Sequence, residues 1–124
     1  MLISFSKLFR SFKYAFKGAV YVLQNEQNFR IQLLAALVVV ALMIIFPLPE
    51  WQVIILLMLI GSVLVLEIVN TIFEKIADML QPKIHHYVAI IKDLMAAAVF
   101  LTSVGALIIG LIIFVPYFID FFGS

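Results

Sequence analysis

Between Ile31 and Phe118 the chain carries three apolar stretches, separated only by a proline-bounded hairpin and a short polar segment. No other feature constrains the fold as strongly. About 20 apolar residues in a row have the length to cross a hydrocarbon core as a helix, and in lipid every backbone N–H and C=O must be satisfied within the spanning structure. The chain has 124 residues, 66% of them hydrophobic and 12% charged. A water-soluble domain of that size has too little interior to hide so much apolar surface. The expectation is a single all-α membrane domain.

The first span covers residues 31–48, with Gln32 as its polar residue, and is ended by Pro47 and Pro49, which lack the amide a continuing helix needs. Trp51 follows the hairpin as an interfacial anchor and opens the second span, residues 51–80, which is apolar as far as Leu66 and then runs past Glu67, Asn70, Glu74 and Asp78. Gln81 and Pro82 are expected to end it. Residues 81–92, with Lys83, His85, His86 and Lys92, are expected to form a cytoplasmic loop. The third span covers residues 93–119, with Gly105 and Gly110 inside it, as small residues often are where membrane helices pack closely. Ahead of the spans, residues 5–24 have helical periodicity: Phe5, Leu8, Phe9, Phe12, Phe16 and Leu23 fall on one stripe, and Lys7, Arg10, Lys13 and Lys17 on the other side. That distribution describes a helix lying in the membrane interface.

The 8 basic residues decide the orientation. With three spans, the amino-terminal segment and the 75–92 region share a side, and every lysine and arginine falls there. The 47–50 hairpin and the tail after Tyr117 have none. The positive-inside rule therefore puts the amino terminus and the 75–92 region in the cytoplasm. The basic residues among the first apolar ones leave no uninterrupted h-region, so no cleavable signal peptide is expected. There is no cysteine, which excludes disulfide and thiol chemistry. His85 and His86 are adjacent, and on a helix they diverge by about 100°, so they make a poor metal pair. No Walker A, no Gly-rich phosphate loop and no zinc pattern is present. No nucleic-acid partner is expected.

The chemistry lies in the row Glu67, Asn70, Glu74 and Asp78. Their separations of three, four and four residues place them within an arc of roughly 80° on a helix. From Trp51, Glu67 lies roughly 24 Å along and Glu74 about 34 Å along. Against a hydrocarbon core of about 30 Å, Glu67 falls just inside the cytoplasmic boundary and Glu74 at its edge. An ionisable group at the bilayer centre costs about 2.5–3.5 kcal/mol or more, so such groups face an interior or a wet cavity and mark function. Asp78 is equally well explained as a headgroup-level residue, and Lys92 alone as a snorkelling lysine. Glu67, surrounded by Leu64, Val65, Leu66, Ile68 and Val69, is not so easily dismissed. Two carboxylates two turns apart with an amide between suit metal-assisted phosphoryl transfer: hard oxygen ligands hold Mg²⁺ against nucleotide phosphates, and a second carboxylate accepts the proton of an attacking alcohol. Lys92 can meet a phosphate as a point charge, with Asp93 at the same depth. Glu26, just before the first span, can complete a metal site from another helix.

At these residues the sequence resembles the small prokaryotic diacylglycerol kinase family, which includes undecaprenol kinases. Glu67, Ile68, Val69, Asn70, Thr71, Ile72, Phe73 and Glu74, followed by Asp78, resemble the family signature E-x-x-N-S/T-A-I-E-x-x-x-D. Lys92 and Asp93 followed by Ala96 to Val99 resemble its K-D stretch, and the segments Ser11–Gly18 and Asn25–Arg30 resemble its amino-terminal part. The resemblance spans Ser11 to Phe114. It implies a homotrimer of three-span subunits with an amino-terminal surface helix, and active sites shared between neighbours at the cytoplasmic face. It implies Glu67 as general base, Glu26 and Glu74 as ligands of the metal that carries ATP, and Asn70, Lys92 and Asp93 as groups that position phosphates. Lys17 and Asp78 are nucleotide-side candidates. The chain departs from the pattern at Ile72, where the family has a small alanine, at Phe73, and at Lys83, where an acidic residue is frequent.

The expected activity is transfer of phosphate from ATP, with Mg²⁺, to the hydroxyl of a membrane lipid, diacylglycerol or undecaprenol. The alternatives are a small proton- or cation-coupled transporter using Glu67 and a non-catalytic assembly subunit. The first gives Asn70, Glu74, Lys92 and Asp93 no joint role. The second leaves the embedded charge unexplained.

Overall fold

The computed structural model describes residues 2–123, with the side chains of Lys83 and Ile84 outside that description. The segment at Lys83 is therefore described by its backbone alone.

Helix α1, Phe5–Asn25, starts where Ser4 turns its hydroxyl back to accept from the Lys7 amide at 3.4 Å, an N-cap that satisfies one of the otherwise orphaned first-turn donors. It ends at Glu26, whose extended backbone (φ −116°, ψ 110°) also caps the start of α2, Gln27–Ile45. Arg30 reaches back across this joint. Its guanidinium donates to the carbonyls of Leu23 and Gln24 at 3.1 and 2.9 Å, which are among the last-turn acceptors that α1 cannot satisfy itself. Val22 and Phe29 are buried on either side of the joint. The α1–α2 corner is thus fixed by one arginine and two apolar side chains.

Helix α2 starts at Gln27 and stops at Ile45, a few residues earlier at both ends than the span expected over 31–48. Phe46, next to Pro47, is extended (φ −94°, ψ 147°), as the proline ring requires of the residue before it. The second apolar helix, α3, runs Glu50–Pro82 and the third, α4, His85–Gly123. By length and composition α2, α3 and α4 are each able to cross a membrane.

The expected loop over 81–92 is corrected. Helical backbone continues without a break from Glu50 to Gly123, through Pro82. Two long-range contacts nevertheless fold α4 back along α3. Lys92 Nζ meets Asp78 Oδ1 at 2.8 Å, and Tyr117 Oη donates to Gln52 Oε1 at 3.0 Å. On one straight helix, residues 78 and 92 would stand about 21 Å apart, so the chain must reverse between them. Proline has a locked φ that suits the first turn of a helix. Pro82 stands inside this helical stretch, the reversal falls between Asp78 and Lys92, and Val88 is buried at 3% exposure where polar loop residues were expected. The polar composition of 81–92 reflects its membrane depth rather than a loss of helix.

The packed core lies at the end of the bundle away from the α3–α4 reversal. Leu56, Ile113 and Phe114 are buried there, with Val39, Leu42, Met43 and Phe46 packed around them. Phe46 stands edge-on to Phe118 at 5.1 Å between centroids and tilted against Tyr117 at 5.6 Å. Such pairs contribute beyond their buried area. Elsewhere little of the bundle is covered. Only 11% of the apolar window in each span is buried within the subunit, so the remaining apolar faces must meet lipid or other protein.

The antiparallel register is directly testable because the chain has no native cysteine. Gln52→Cys combined with Tyr117→Cys is expected to be joined within one chain by a short bifunctional maleimide, since side chains as long as glutamine and tyrosine hold their backbones further apart than a disulfide spans. The product should run as a monomer with altered mobility on non-reducing gels, and failure to cross-link would contradict the α3–α4 pairing.

Candidate active site

Helix α3 carries the polar row, and the fold buries its upper part. Glu67 is 1% exposed, the largest fully buried side chain among the described residues, and Asn70 and Thr71 are buried beside it. Thr71 donates to the Glu67 carbonyl at 3.0 Å, which keeps its own hydroxyl satisfied within the helix. Asn70 donates to Glu74 Oε1 at 3.2 Å, one turn away, and so orients that carboxylate. These contacts follow from i to i+4 spacing on one helix.

The partner of Glu67 comes from another helix. Gln32 Nε2 on α2 donates to Glu67 Oε2 at 3.2 Å. The other Glu67 oxygen, Oε1, has no hydrogen-bond partner among the described residues, and the same is true of Gln32 Oε1 and of the Ser103 hydroxyl on α4. Gln32 was visible in the sequence as the polar residue of an apolar span, but nothing in its spacing tied it to Glu67. Pairing across 35 positions is a tertiary fact. Ser103 carried no signal, since a single serine in a membrane helix commonly bonds back to its own backbone.

The Gln32–Glu67 bond also sets the depth of Glu26. In the antiparallel α2–α3 pair, Glu26 lies six residues before Gln32 and Glu74 seven after Glu67, so each stands about 9–10 Å further toward the α3–α4 reversal. Glu26, Glu67, Asn70 and Glu74 thus lie toward one end of the α2–α3 pair. The others stand apart. Asp78 and Lys92 form an exposed ion pair, eleven residues or roughly 16 Å along α3 from Glu67. Asp93 is exposed. Lys17 is exposed on α1 with its ammonium 5.9 Å from the Tyr14 ring centroid. Of the residues at which the chain departs from the family pattern, Ile72 lines a groove between α1 and α3 with Ala15, Gly18 and Lys75, and Phe73 is exposed.

A three-span bundle with a sequestered carboxylate, an amide and two further carboxylates at one membrane boundary has the parts of an enzyme working at the lipid–water interface. The chain belongs to the prokaryotic diacylglycerol kinase family, whose model matches residues 13–114. Undecaprenol kinase of Bacillus subtilis (strain 168) is 34% identical over 113 residues, covering 90% of each chain. Diacylglycerol kinase of Synechocystis sp. (strain ATCC 27184 / PCC 6803 / Kazusa) is 32% identical over 107 residues, which are 86% of this chain and 61% of that protein. Membership makes the chain a multi-pass membrane lipid kinase, an ATP-dependent phosphotransferase. It also decides against the transport and assembly readings.

Gln32 is the hydrogen-bond donor to a carboxylate that water does not reach, so removing it should be costly. Gln32→Leu is expected to destabilise the protein by about 1–3 kcal/mol, the penalty for leaving a buried acceptor unsatisfied. Reversible unfolding in mixed detergent–SDS micelles measures this, and an unchanged transition would show that the bond contributes nothing.

Proposed function

We propose that Glu67 is the general base of this lipid kinase. The observation that carries the proposal is its isolation: a carboxylate excluded from water, held at one oxygen by Gln32 and open at the other. The open oxygen is the one that receives the proton of the lipid hydroxyl. The hydroxyl oxygen forms its bond to the γ-phosphorus of ATP while the bond from that phosphorus to the ADP oxygen breaks. The products are a lipid phosphate, ADP and a protonated Glu67 that returns its proton to water. A general base contributes about 10²–10⁴-fold; positioning and charge neutralisation carry much of the remainder in phosphoryl transfer.

Glu26 and Glu74 are proposed to bind Mg²⁺. Among the described residues no group of three or more acidic, histidine or cysteine side chains is placed to hold a metal by itself. Mg²⁺ at nucleotide sites takes one or two carboxylates and completes its shell with phosphate oxygens and water. Two carboxylates at one depth, Glu26 on the α1–α2 joint and Glu74 on α3, have the donor chemistry for that role. When bound, the metal neutralises phosphate charge. Asn70 holds Glu74 in place for it. Lys92, Asp93, Lys17 and Asp78 are assigned to the nucleotide side, where Lys92 would exchange its carboxylate partner for a phosphate.

The clustering of lysines and arginines supports an amino terminus and an α3–α4 reversal on the cytoplasmic side, where ATP is. The sparse burial within one subunit supports assembly, and we propose the homotrimer that the family resemblance implies, in the bacterial cytoplasmic membrane. The lipid alcohol, diacylglycerol or undecaprenol, enters from the bilayer while nucleotide arrives from water, so the chemistry needs no separate soluble domain.

Glu67→Gln keeps the side chain's shape and its capacity to accept from Gln32 but removes the base. Lipid phosphorylation from labelled ATP in mixed micelles is expected to fall about 10²–10⁴-fold, with assembly unchanged by size-exclusion chromatography. Turnover near that of the parent protein would sink the assignment. Glu74→Gln is expected to raise the Mg²⁺ concentration needed for half-maximal rate by at least about tenfold, the lower bound for lost ligand-shell contacts. An unaltered Mg²⁺ dependence would remove Glu74 from the metal site.

A further inference from the structure

A partly open groove of about 530 Å³ lies between α1 and α3, outside the carboxylate site: Glu26, Glu67, Asn70 and Glu74 do not line it. Ile68, Ile72, Ile76 and Met79 form its α3 wall, a stripe at three- and four-residue spacing on one helix. Ala15, Gly18 and Ala19 form much of its α1 wall, and side chains that short leave the space between the helices unfilled. A Cβ built on Gly18 meets nothing within 4 Å. Ile72, Ile76 and Met79 remain exposed within the subunit, so the groove opens toward the bilayer.

The charged lining residue of the groove is Lys75. Its ammonium lies 5.6 Å from the ring centroid of Tyr21 on α1, so it reaches across the groove rather than away from it. Lys75 has no ion pair among the described residues, and Asp78, three positions on, is engaged by Lys92 at 2.8 Å. From Lys75 to Ile68 the groove continues about 10 Å along α3 toward the bilayer interior. Thr71 on this stretch already donates to the Glu67 carbonyl and leaves the wall apolar in character. The groove thus has a cation at its head and a hydrocarbon lining behind it. Helix α1 strengthens the cationic end, since it carries Lys7, Arg10, Lys13 and Lys17 and no carboxylate. A helix of that charge lying in the interface attracts anionic lipid. The lysine stem of residue 75 can cover apolar surface while its ammonium stays at headgroup level.

We propose that this groove holds one acyl chain of an anionic phospholipid of the bilayer, with the lipid's phosphate against the Lys75 ammonium. The bound phospholipid is a bystander and is not phosphorylated, because none of the proposed catalytic carboxylates lines the groove. It joins α1 to α3 by apolar contact along the groove and by charge at its head. A zwitterionic choline headgroup fits less well, since it brings a second cation toward Lys75 and the basic face of α1. The inference does not depend on Glu67 being the general base.

The test uses the full-length protein in phosphatidylcholine nanodiscs doped with a phosphatidylglycerol or a phosphatidylcholine probe, each carrying a photoreactive diazirine near the middle of one acyl chain. Irradiation followed by peptide mass spectrometry is expected to place the label on the α1 and α3 residues that line the groove. The phosphatidylglycerol probe should label them about fivefold more than the phosphatidylcholine probe, the preference that one lysine near an anionic headgroup confers. Lys75→Gln should remove that preference and Lys75→Arg should keep it. Gly18→Leu, which fills the open space, should abolish labelling of the groove by both probes. Equal labelling by the two probes, or a preference that survives Lys75→Gln, would make the occupant unselective boundary lipid and overturn the inference. Labelling by neither probe in the parent protein would show that another protein surface, such as a second copy of the chain, covers the groove, and would overturn it too. Loss of the phosphatidylglycerol label on adding unlabelled diacylglycerol would make the groove part of the substrate route and overturn the bystander assignment. None of these outcomes bears on the loss of turnover expected for Glu67→Gln, so the two readings fail separately.

Discussion

One hydrogen bond between neighbouring membrane helices organises the functional end of this kinase. Glu67 is an ionisable side chain with almost no access to water, and lipid offers it no substitute. Gln32 supplies one donor from α2. That contact sets the relative depth of α2 and α3, and with it the depth of Glu26 against Glu74. It also leaves one carboxylate oxygen open. A fully paired Glu67 would be a structural residue; a wholly unpaired one would be too expensive to bury. The half-satisfied arrangement suits the proposed role of Glu67 as proton acceptor.

The two ends of the bundle divide the work. At the end away from the α3–α4 reversal, Leu56, Ile113 and Phe114 pack with Phe46 and its aromatic neighbours, and Tyr117 ties α4 to Gln52 on α3. Lipid is as apolar as these side chains, so helix association here rests on close packing and on the interhelical hydrogen bond rather than on escape from water. At the other end, packing gives way to carboxylates, amides and an exposed ion pair. Rigidity at one end allows polarity at the other, where the proposed site lies. The α1 helix is joined to this polar end through Arg30 and by Lys75, whose ammonium lies 5.6 Å from the Tyr21 ring centroid.

Much of this was legible in the chain. The three spans, the amphipathic α1 and the shared face of Glu67, Asn70 and Glu74 follow from periodicity, because a regular helix converts sequence spacing directly into geometry. The expected loop over 81–92 failed for a specific reason. Polar composition and Pro82 point to irregular backbone, yet the helical stretch accommodates Pro82, and polar side chains need only water, not a loop. The ends of α2 shifted for a related reason: Pro47 acts on the residue before it, so the helix stops at Ile45.

The sequence by itself determined that the chain lives in a membrane, which residues are too polar for their depth, and on which face of α3 they stand. These are properties of single helices, and their repeat carries them. Only the tertiary structure decided that Gln32 is the partner of Glu67, that Asp78 rather than a distant group holds Lys92, and that Lys75 stands beside Tyr21 at an apolar groove between α1 and α3. Each of these depends on the register between two helices. Register is set by side-chain packing and by a few cross-helix hydrogen bonds, and it leaves no periodic trace in either helix alone.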